Sequence, residues 1–366
     1  MFYLKEQEIN QLNKIKAAVE AGTPVGKLIG ICNKTKAFVS DKNFVYTYAA
    51  CLLASQDKVD DAMQLFALNK QDTFCSIMLD YLKDTGSFEP TATVFKSAAP
   101  YNTYVKTEFY QRHQLGTIRN IRHFAEKTPP PTPEQMVTIV DIGPGNGVLI
   151  TKIVNEIAPI YNIKSVRLII VDFSEDMLKM TTEYCKRNLN ITSEIISICT
   201  RIQDISTAQI RLVQQNEPIW FINAALSVHH MPREIKIPML KQMRELSPYF
   251  VLTEVNWNHD NPEKQSPELI YSVAKNYAIF SESILHLAVS EAERKDCLYN
   301  FPIAEAINII KQDRTHRIDY HTPIEEWKKI GREAGYSIID TRSAYSIANK
   351  PFAFVMVFHR NRQKPD

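Results

Sequence analysis

The sequence lacks a strong charge of either sign, since 43 Lys and Arg residues nearly balance 41 Asp and Glu residues and leave a net charge of +2. No global field therefore points to nucleic acid or to an anionic membrane as a partner. No apolar run reaches the ~18 residues of a membrane span, and the first residues lack the basic and apolar segments of a secretory signal. With 45% apolar and 23% charged residues, the composition is that of a globular protein, which we expect to be cytoplasmic.

Metal and disulfide patterns are also missing. The six cysteines form no Cys-x-x-Cys pair and lie within apolar helical or strand patterns, so we predict free buried thiols. His316 and His321 lie five residues apart without acidic or cysteine neighbours in a ligand pattern, and we therefore predict no metal site.

Residues 1–94 show helical spacing of apolar residues only, which predicts an N-terminal all-helical domain. A further helix is predicted from about Tyr104 to Glu126. It is followed by a proline-rich connector, Lys127 to Pro133, which ends that helix. We expect the second domain to cover residues 95–366.

The pattern after the connector changes to short apolar strands that alternate with helices. The predicted strands are Val137–Asp141, Val166–Asp172, Glu194–Ile198, Ile219–Ala224 and Phe250–Val255, and the first two connecting helices are Val148–Ile157 and Glu175–Asn188. Such alternation is typical of a parallel sheet that is covered on both faces. No helix fits between the last two predicted strands, Tyr336–Arg342 and Phe352–Phe358, so they should form an antiparallel hairpin.

A helical insertion is predicted at about residues 258–322, after the fifth strand. Ligands of open α/β sheets bind at the carboxyl ends of the strands. An insertion in this place would therefore act as a helical lid.

A glycine-rich loop, Asp141-Ile142-Gly143-Pro144-Gly145-Asn146-Gly147, follows the first of these strands and opens a helix. Gly143, Gly145 and Gly147 would let the backbone turn tightly and approach a ligand, and the spacing differs from the Gly-x-Gly-x-x-Gly of dinucleotide binders. Asp172 ends the second strand, where a carboxylate can accept ribose hydroxyl protons. The alternative is that Asp172 is only an acid near the N-terminus of the next helix, for which Ser174 is the expected cap.

Five parallel strands followed by a C-terminal hairpin resemble the Rossmann-like sheet of the class I S-adenosylmethionine-dependent methyltransferases. The run from Asp172 and Phe173 to Met177 and Leu178 also resembles their second motif. This resemblance implies S-adenosyl-L-methionine as the cofactor.

The same resemblance assigns the remaining cofactor contacts. After the third strand, Asp204 would accept from the adenine amino group and Ile202 would pack on the ring, with Gln203 beside them. A solvated loop aspartate is the alternative. At the end of the fourth strand, the backbone of Asn223, Ala224 and Ala225 would flank the methionine part of the cofactor.

Methyl transfer to a hydroxyl or an acidic N–H benefits from a general base. His229 and His230 follow the fourth strand, and either is a candidate; a histidine that only orients the loop is the alternative. Glu254 ends the fifth strand and would bind a cation or remove a proton, unless neighbouring N–H groups satisfy its carboxylate.

Candidate substrate contacts combine aromatic, Arg and Asn side chains near the predicted cleft and lid, each with a purely structural role as the alternative. They are Tyr101, Tyr104, Arg112, Asn256, Tyr277 and Arg314.

A narrower resemblance rests on the order of several motifs. These are Phe95-Lys96-Ser97-Ala98-Ala99-Pro100-Tyr101, Glu217 to Asn223, Leu246 to Asn256, Tyr277 to Ser281, and Trp327 with Ala334-Gly335-Tyr336. Together they resemble the GRAS-domain family, known chiefly from plant transcriptional regulators, whose bacterial relatives are regarded as methyltransferases.

Plant GRAS domains have mostly lost the glycine loop and act as protein-interaction modules. This chain keeps three glycines, Asp172 and Asp204, which favours a working cofactor site and a bacterial-type enzyme. We therefore expect a methyltransferase that acts on a small molecule. The alternative is a GRAS-like interaction or ligand-sensing module, with a homodimer or protein partner at its helical regions. Methylation of a nucleic acid is disfavoured by the lack of a basic stripe.

Overall fold

The computed structural model describes residues 3–91, 98–131, 136–215 and 217–360. Phe95, Lys96, Ser97 and Pro133, and with them the predicted domain boundary after residue 94, lie outside this part of the chain. The helices are α1 (Glu6–Glu20), α2 (Val25–Thr35), α3 (Phe44–Ala54), α4 (Val59–Ala67), α5 (Thr73–Thr85), α6 (Ala98–Tyr104), α7 (Glu108–Lys127), α8 (Val148–Ile157), α9 (Glu175–Asn188), α10 (Thr207–Gln214), α11 (Arg233–Leu246), α12 (Pro267–Leu285), α13 (Glu291–Leu298), α14 (Ala304–Lys311) and α15 (Ile324–Glu333). The strands are β1 (Val137–Ile142), β2 (Ser165–Asp172), β3 (Thr192–Cys199), β4 (Ile219–Ala225), β5 (Tyr249–Val255), β6 (Tyr336–Ile347) and β7 (Lys350–Arg360).

The chain divides into two compact units. Unit 1 combines Met1–Gln111 with Trp257–Asp319, and unit 2 combines Arg112–Asn256 with Tyr320–Asp366. This division does not follow the predicted segments, because most of the helical insertion belongs to the same unit as the N-terminal helices.

Specific contacts explain why the insertion joins unit 1. Lys275, on α12, pairs with Asp41 at 2.7 Å and lies 3.7 Å from Asp72. The Tyr48 hydroxyl, on α3, donates to the backbone oxygen of Gln265 at 3.1 Å. Because the partners in all three pairs are more than 200 residues apart in sequence, local patterns could not indicate them. The lid function of the insertion stays a prediction.

Unit 2 contains a seven-stranded sheet in the order β3-β2-β1-β4-β5-β7-β6. Strands β1 to β5 are parallel, and β7 runs antiparallel to both β5 and β6. This confirms the predicted fold class, a Rossmann-like class I methyltransferase sheet with a C-terminal antiparallel hairpin. All six residues of β1 are buried, as expected for a central strand with both faces covered.

Alternation along the strands separates an apolar face from a face that carries the candidate site. Ile142, Ala224 and Leu252 belong to one hydrophobic core cluster with residues of α11 and α15. Their neighbours Asp141 and Asn223 point to the opposite face, since successive side chains of a strand alternate. The Ala224 side chain therefore contributes to the core.

Two local predictions are corrected. The helix predicted from Tyr104 to Glu126 is interrupted after Tyr104, and α7 begins anew at Glu108, where the Thr107 hydroxyl accepts the backbone N–H of Tyr110 at 3.2 Å and caps the first turn. All six cysteines are free, but Cys199 is exposed because β3 is the outer strand of the sheet.

Candidate functional site

The glycine loop between β1 and α8 has a backbone that side chains would disturb. Gly143, Gly145 and Gly147 have φ values of +65°, +61° and +79°, in the left-handed region that favours glycine. A Cβ at Gly143 would lie 2.5 Å from the Cβ of Ser227, and one at Gly147 would lie 3.0 Å from the Cα of Thr181. The first and third glycines are thus required both by conformation and by space.

Neighbouring elements hold this loop in place. The Gly143 N–H donates to the Val171 oxygen of β2 at 2.8 Å. The Thr181 hydroxyl donates to the Gly145 oxygen at 2.7 Å, and the Asn146 side chain accepts the N–H of Val148 at 3.2 Å. The loop is therefore a fixed support at the carboxyl end of the sheet, next to the end of β2.

Asp172 stands at the end of β2 with its side chain half-buried. Its Oδ1 accepts the N–H of Ser174 at 2.9 Å, whereas Ser174 itself caps α9 by accepting the N–H of Met177 at 3.3 Å. Burial raises the pKa of Asp172, although the hydrogen bonds from Ser174 and Phe173 and the charge of His230 lower it. The cap of α9 is thus Ser174, which leaves the ribose role open to Asp172.

The other candidate adenosine contacts follow the ends of β2 and β3, which are neighbours in the sheet. Phe173 is 62% exposed, and Met177 is half-buried on the first turn of α9. Ile202, Gln203 and Asp204 form a short 3-10 turn after β3, in which Ile202 packs against the core and the other two side chains are exposed.

A buried acid lies under the glycine loop, at the end of β1. Asp141 is 3% exposed, and its Oδ1 accepts the Nδ2 of Asn223, itself 1% exposed, at 2.6 Å. Burial raises the pKa of Asp141 to about 7. The hydrogen bond from Asn223 lowers this pKa and the negative charge of Asp172 raises it, but both effects are smaller than that of burial. Within the described part of the chain, the Asn223 Oδ1 has no hydrogen-bond partner. This buried amide oxygen is an acceptor for a water or a ligand.

His229 and Glu254 form a buried pair at the ends of β4 and β5. The Glu254 Oε1 accepts the backbone N–H groups of Val228 and His229 at 3.0 and 3.1 Å, and Oε2 lies 2.9 Å from the Nδ1 of the His229 ring. These contacts favour the interpretation of Glu254 as a carboxylate satisfied by neighbouring N–H groups.

The charge state of Glu254 decides which nitrogen of His229 can act as a base. Burial by itself raises the pKa of Glu254, but the charge and hydrogen bond of His229 and the charges of Lys236 and His230 together lower it. An ionised Glu254 accepts a proton-bearing Nδ1, so that Nε2 is the nitrogen of His229 able to take a proton. Glu254 therefore positions the candidate base.

Two further histidine rings contact His229. The His230 ring centroid lies 4.1 Å away with an interplanar angle of 54°, and the His321 ring is stacked at 4.4 Å and 13°. Sequence reasoning missed His321, because it lies 92 residues beyond His229 and ahead of α15. In the sequence, His321 was noted only as a histidine outside any metal-ligand pattern.

Tyr101 and Tyr104, predicted as substrate contacts, belong to unit 1. The hydroxyl of Tyr101 lies 3.1 Å from that of Tyr110, and Tyr104, 2% exposed, packs its ring against Phe280 and Phe301. These contacts give both tyrosines structural partners.

Tyr277 and Arg314 also belong to unit 1. The Tyr277 hydroxyl donates to Glu305 at 3.0 Å, and Arg314 donates to the backbone oxygen of Asp260 at 2.8 Å and pairs with its carboxylate. Their substrate roles stay predictions.

The last two substrate candidates, Arg112 and Asn256, belong to unit 2, where Arg112 is exposed. The Asn256 amide donates to the Pro351 oxygen at 3.0 Å, and its Oδ1 accepts the N–H of Ile324 at 3.0 Å. Asn256 thus fastens β5 to β7 and α15.

None of the helices in the described part of the chain combines the length and the apolar character that a membrane span requires.

The strand order and the loop after β1 define the class I methyltransferase fold. Within that fold the chain belongs to the GRAS domain family, whose model matches residues 131–349. No curated protein matches the chain.

One similar solved structure, SCL7, agrees with this fold, and two methyltransferase structures are more distantly similar. SCL7 from Oryza sativa is 13% identical, covers 97% of this chain and 100% of its own, and has a TM-score of 0.59. Magnesium protoporphyrin IX methyltransferase from Synechocystis PCC 6803 with bound SAH is 11% identical, covers 78% of this chain and 99% of its own, and has a TM-score of 0.43. The 1,6-didemethyltoxoflavin-N1-methyltransferase from Burkholderia thailandensis is 10% identical, with 74% and 93% coverage and a TM-score of 0.37.

Proposed function

We propose that this chain is an S-adenosylmethionine-dependent methyltransferase that acts on a small molecule. The observation that carries the proposal is the pairing of a positive-φ glycine loop with a half-buried carboxylate, Asp172, on adjacent strand ends. The register Ile142 with Val171 brings the two together. A glycine backbone admits close approach of a ligand, and a carboxylate accepts hydroxyl protons.

The residues present fit S-adenosylmethionine. Asp172 would accept the ribose hydroxyls, and Phe173 and Ile202 offer apolar surface for the adenine. Near the methionine part, Asp141 offers a carboxyl group and Asn223 a buried amide oxygen without a partner in the described chain. When bound, the cofactor would supply a methyl group on a sulfonium sulfur, which a nucleophile takes by in-line displacement.

The residues of the chain would supply the acid–base chemistry. Glu254 holds the Nδ1–H of His229 at 2.9 Å, which leaves Nε2 to take the proton from an acceptor hydroxyl or N–H. His230, whose ring contacts His229, is the second candidate base. Without a base, a neutral acceptor would have to carry positive charge after methylation.

Calorimetric titration with S-adenosylmethionine and S-adenosylhomocysteine tests the proposal. The wild type should bind both, and Asp172→Ala should bind at least about tenfold more weakly, because the ribose hydroxyls lose a charged partner. Asp176→Ala is the matched control, since Asp176 is exposed on the first turn of α9, and it should bind like the wild type.

Two results would count against the proposal. If the wild type binds neither compound, the chain is better explained as a GRAS-like interaction module without a cofactor. If Asp172→Ala binds like the wild type, the cofactor site is not at the end of β2.

A further inference from the structure

A buried lysine lies beside the histidine turn of unit 2. Lys236, on α11, is 0% exposed. Its Nζ donates to the backbone oxygen of Tyr320 and to the hydroxyl of Thr322, both at 2.6 Å, and lies 5.1 Å from the Trp327 ring centroid. Burial of an ammonium group is costly unless oxygen atoms replace its water. The segment Tyr320–Thr322 is therefore held tightly at this point.

The same segment contacts His229 directly. The backbone N–H of Tyr320 donates to the His229 oxygen at 2.6 Å. The next residue, His321, is 4% exposed and stacks its ring on the His229 ring at 4.4 Å with an angle of 13°. Thus Lys236 binds the two residues that flank His321, and this segment in turn contacts both the backbone and the ring of His229.

Lys236 also acts on the other partner of His229. The positive charge of Lys236 contributes to the lowered pKa of Glu254, alongside the larger effects of burial, which raises it, and of His229, which lowers it. An ionised Glu254 is the group that accepts the Nδ1–H of His229. Lys236 therefore acts on two partners of the candidate base: the stacked ring of His321 and the carboxylate of Glu254.

We propose that Lys236 is a positioning residue that fixes the ring of His229 by holding Tyr320–Thr322 against it. The inference rests on the proposed function for the role of His229 as a base, whereas the contacts themselves do not depend on that role. A lysine that only fastens α11 to the chain before α15 would leave the His229 ring environment unchanged when it is replaced.

The test uses NMR of histidine-labelled full-length protein without cofactor. Stacked rings shift each other's ring protons upfield, so His229 and His321, assigned by single His→Gln variants, should give upfield signals in the wild type. Lys236→Met removes both hydrogen bonds with a side chain of similar length and should move both signals downfield. Lys236→Arg, which keeps N–H donors, should restore them at least in part.

Two further variants complete the design. Thr322→Val removes one acceptor of Lys236 at nearly constant volume and should move the signals in the same direction by less; it carries the test if Lys236→Met does not fold. Lys241→Met is the matched control, because Lys241 is exposed on the same helix, and it should leave both signals unchanged. The exposed residues His286 and His316 serve as internal references.

A lower melting temperature of Lys236→Met with unchanged His229 and His321 signals would overturn the proposal, because Lys236 would then only stabilise the fold. Titration with S-adenosylmethionine separates this result from failure of the proposed function. Lys236→Met should bind the cofactor within about twofold of the wild type, since the two hydrogen bonds it removes go to Tyr320 and Thr322, which are not candidate cofactor contacts. If the wild type binds no cofactor but the ring signals respond to Lys236→Met, the methyltransferase proposal is contradicted. The positioning role of Lys236 is then still supported.

Discussion

Replacing Asp141 by Asn should stabilise the cofactor-free protein at alkaline pH. Asp141 is 3% exposed at the end of β1, and burial raises the pKa of its carboxyl group from 3.8 to about 7. An amide at this position keeps an oxygen for the Nδ2 of Asn223, which Asp141 now binds at 2.6 Å. It also brings an N–H donor beside the Oδ1 of Asn223, which lacks a partner among the described residues.

The magnitude follows from the shift in pKa between the unfolded and folded states. Because the folded value lies above the unfolded one, the contribution of Asp141 to stability is fully present below about pH 4 and is lost as the pH rises through about 7. Three units at ~1.36 kcal/mol each give a penalty of up to about 4 kcal/mol above pH 7. Asp141→Asn carries no such penalty.

Urea unfolding of both proteins at pH 5, 6.5 and 8 is the assay. The midpoint of Asp141→Asn should exceed that of the wild type at pH 8, and the difference should shrink towards pH 5. Asp176→Asn, at an exposed position, is the control and should show no such trend. A less stable Asp141→Asn at pH 8, or a difference independent of pH, would refute the reasoning.

Two other substitutions test the loop and the histidine pair. Gly143→Ala should lower stability by about 1–3 kcal/mol, because its Cβ would lie 2.5 Å from that of Ser227 at a φ of +65°; an unchanged melting temperature would contradict this. Glu254→Gln should cost about 1.5–3 kcal/mol near pH 7, because the carboxylate accepts bonds from Val228 and His229. Since the pKa of Glu254 is lowered on folding, this stabilisation is present at neutral pH and lost as the pH falls through the folded value; a cost in urea unfolding that is constant down to pH 3 would contradict it.

The parts of the fold with strong local signals were predictable. The apolar run of β1 and the helices α8 and α9 follow from periodicity and caps, and their observed bounds agree with the predicted ones within a residue. The hairpin was predicted too short, since β6 and β7 extend to a tight turn at Ala348 and Asn349, both with positive φ. The segment before that turn mixes small, polar and apolar side chains, so that no clear alternation indicated the longer strands.

Features that depend on contacts distant in sequence were not predictable. The ion pair of Lys275 with Asp41 joins residues from opposite ends of unit 1, so that nothing local indicated that the insertion and the N-terminal helices share a core. Lys236 lies in a helix rich in charged residues, where a lysine normally indicates a solvated face. Lys236 is buried because the chain at Tyr320, which is distant in sequence, packs against it.

The glycine loop after β1 is the proposed binding site of S-adenosylmethionine. Glycine-selective 15N labelling gives at most ten backbone amide signals, one for each glycine of the chain, and addition of S-adenosylhomocysteine tests the claim directly. The signals of Gly143, Gly145 and Gly147 should move, while those of Gly22 and Gly26, in unit 1, should stay in place. Signals of the loop glycines that remain unchanged at saturating ligand would contradict the claim.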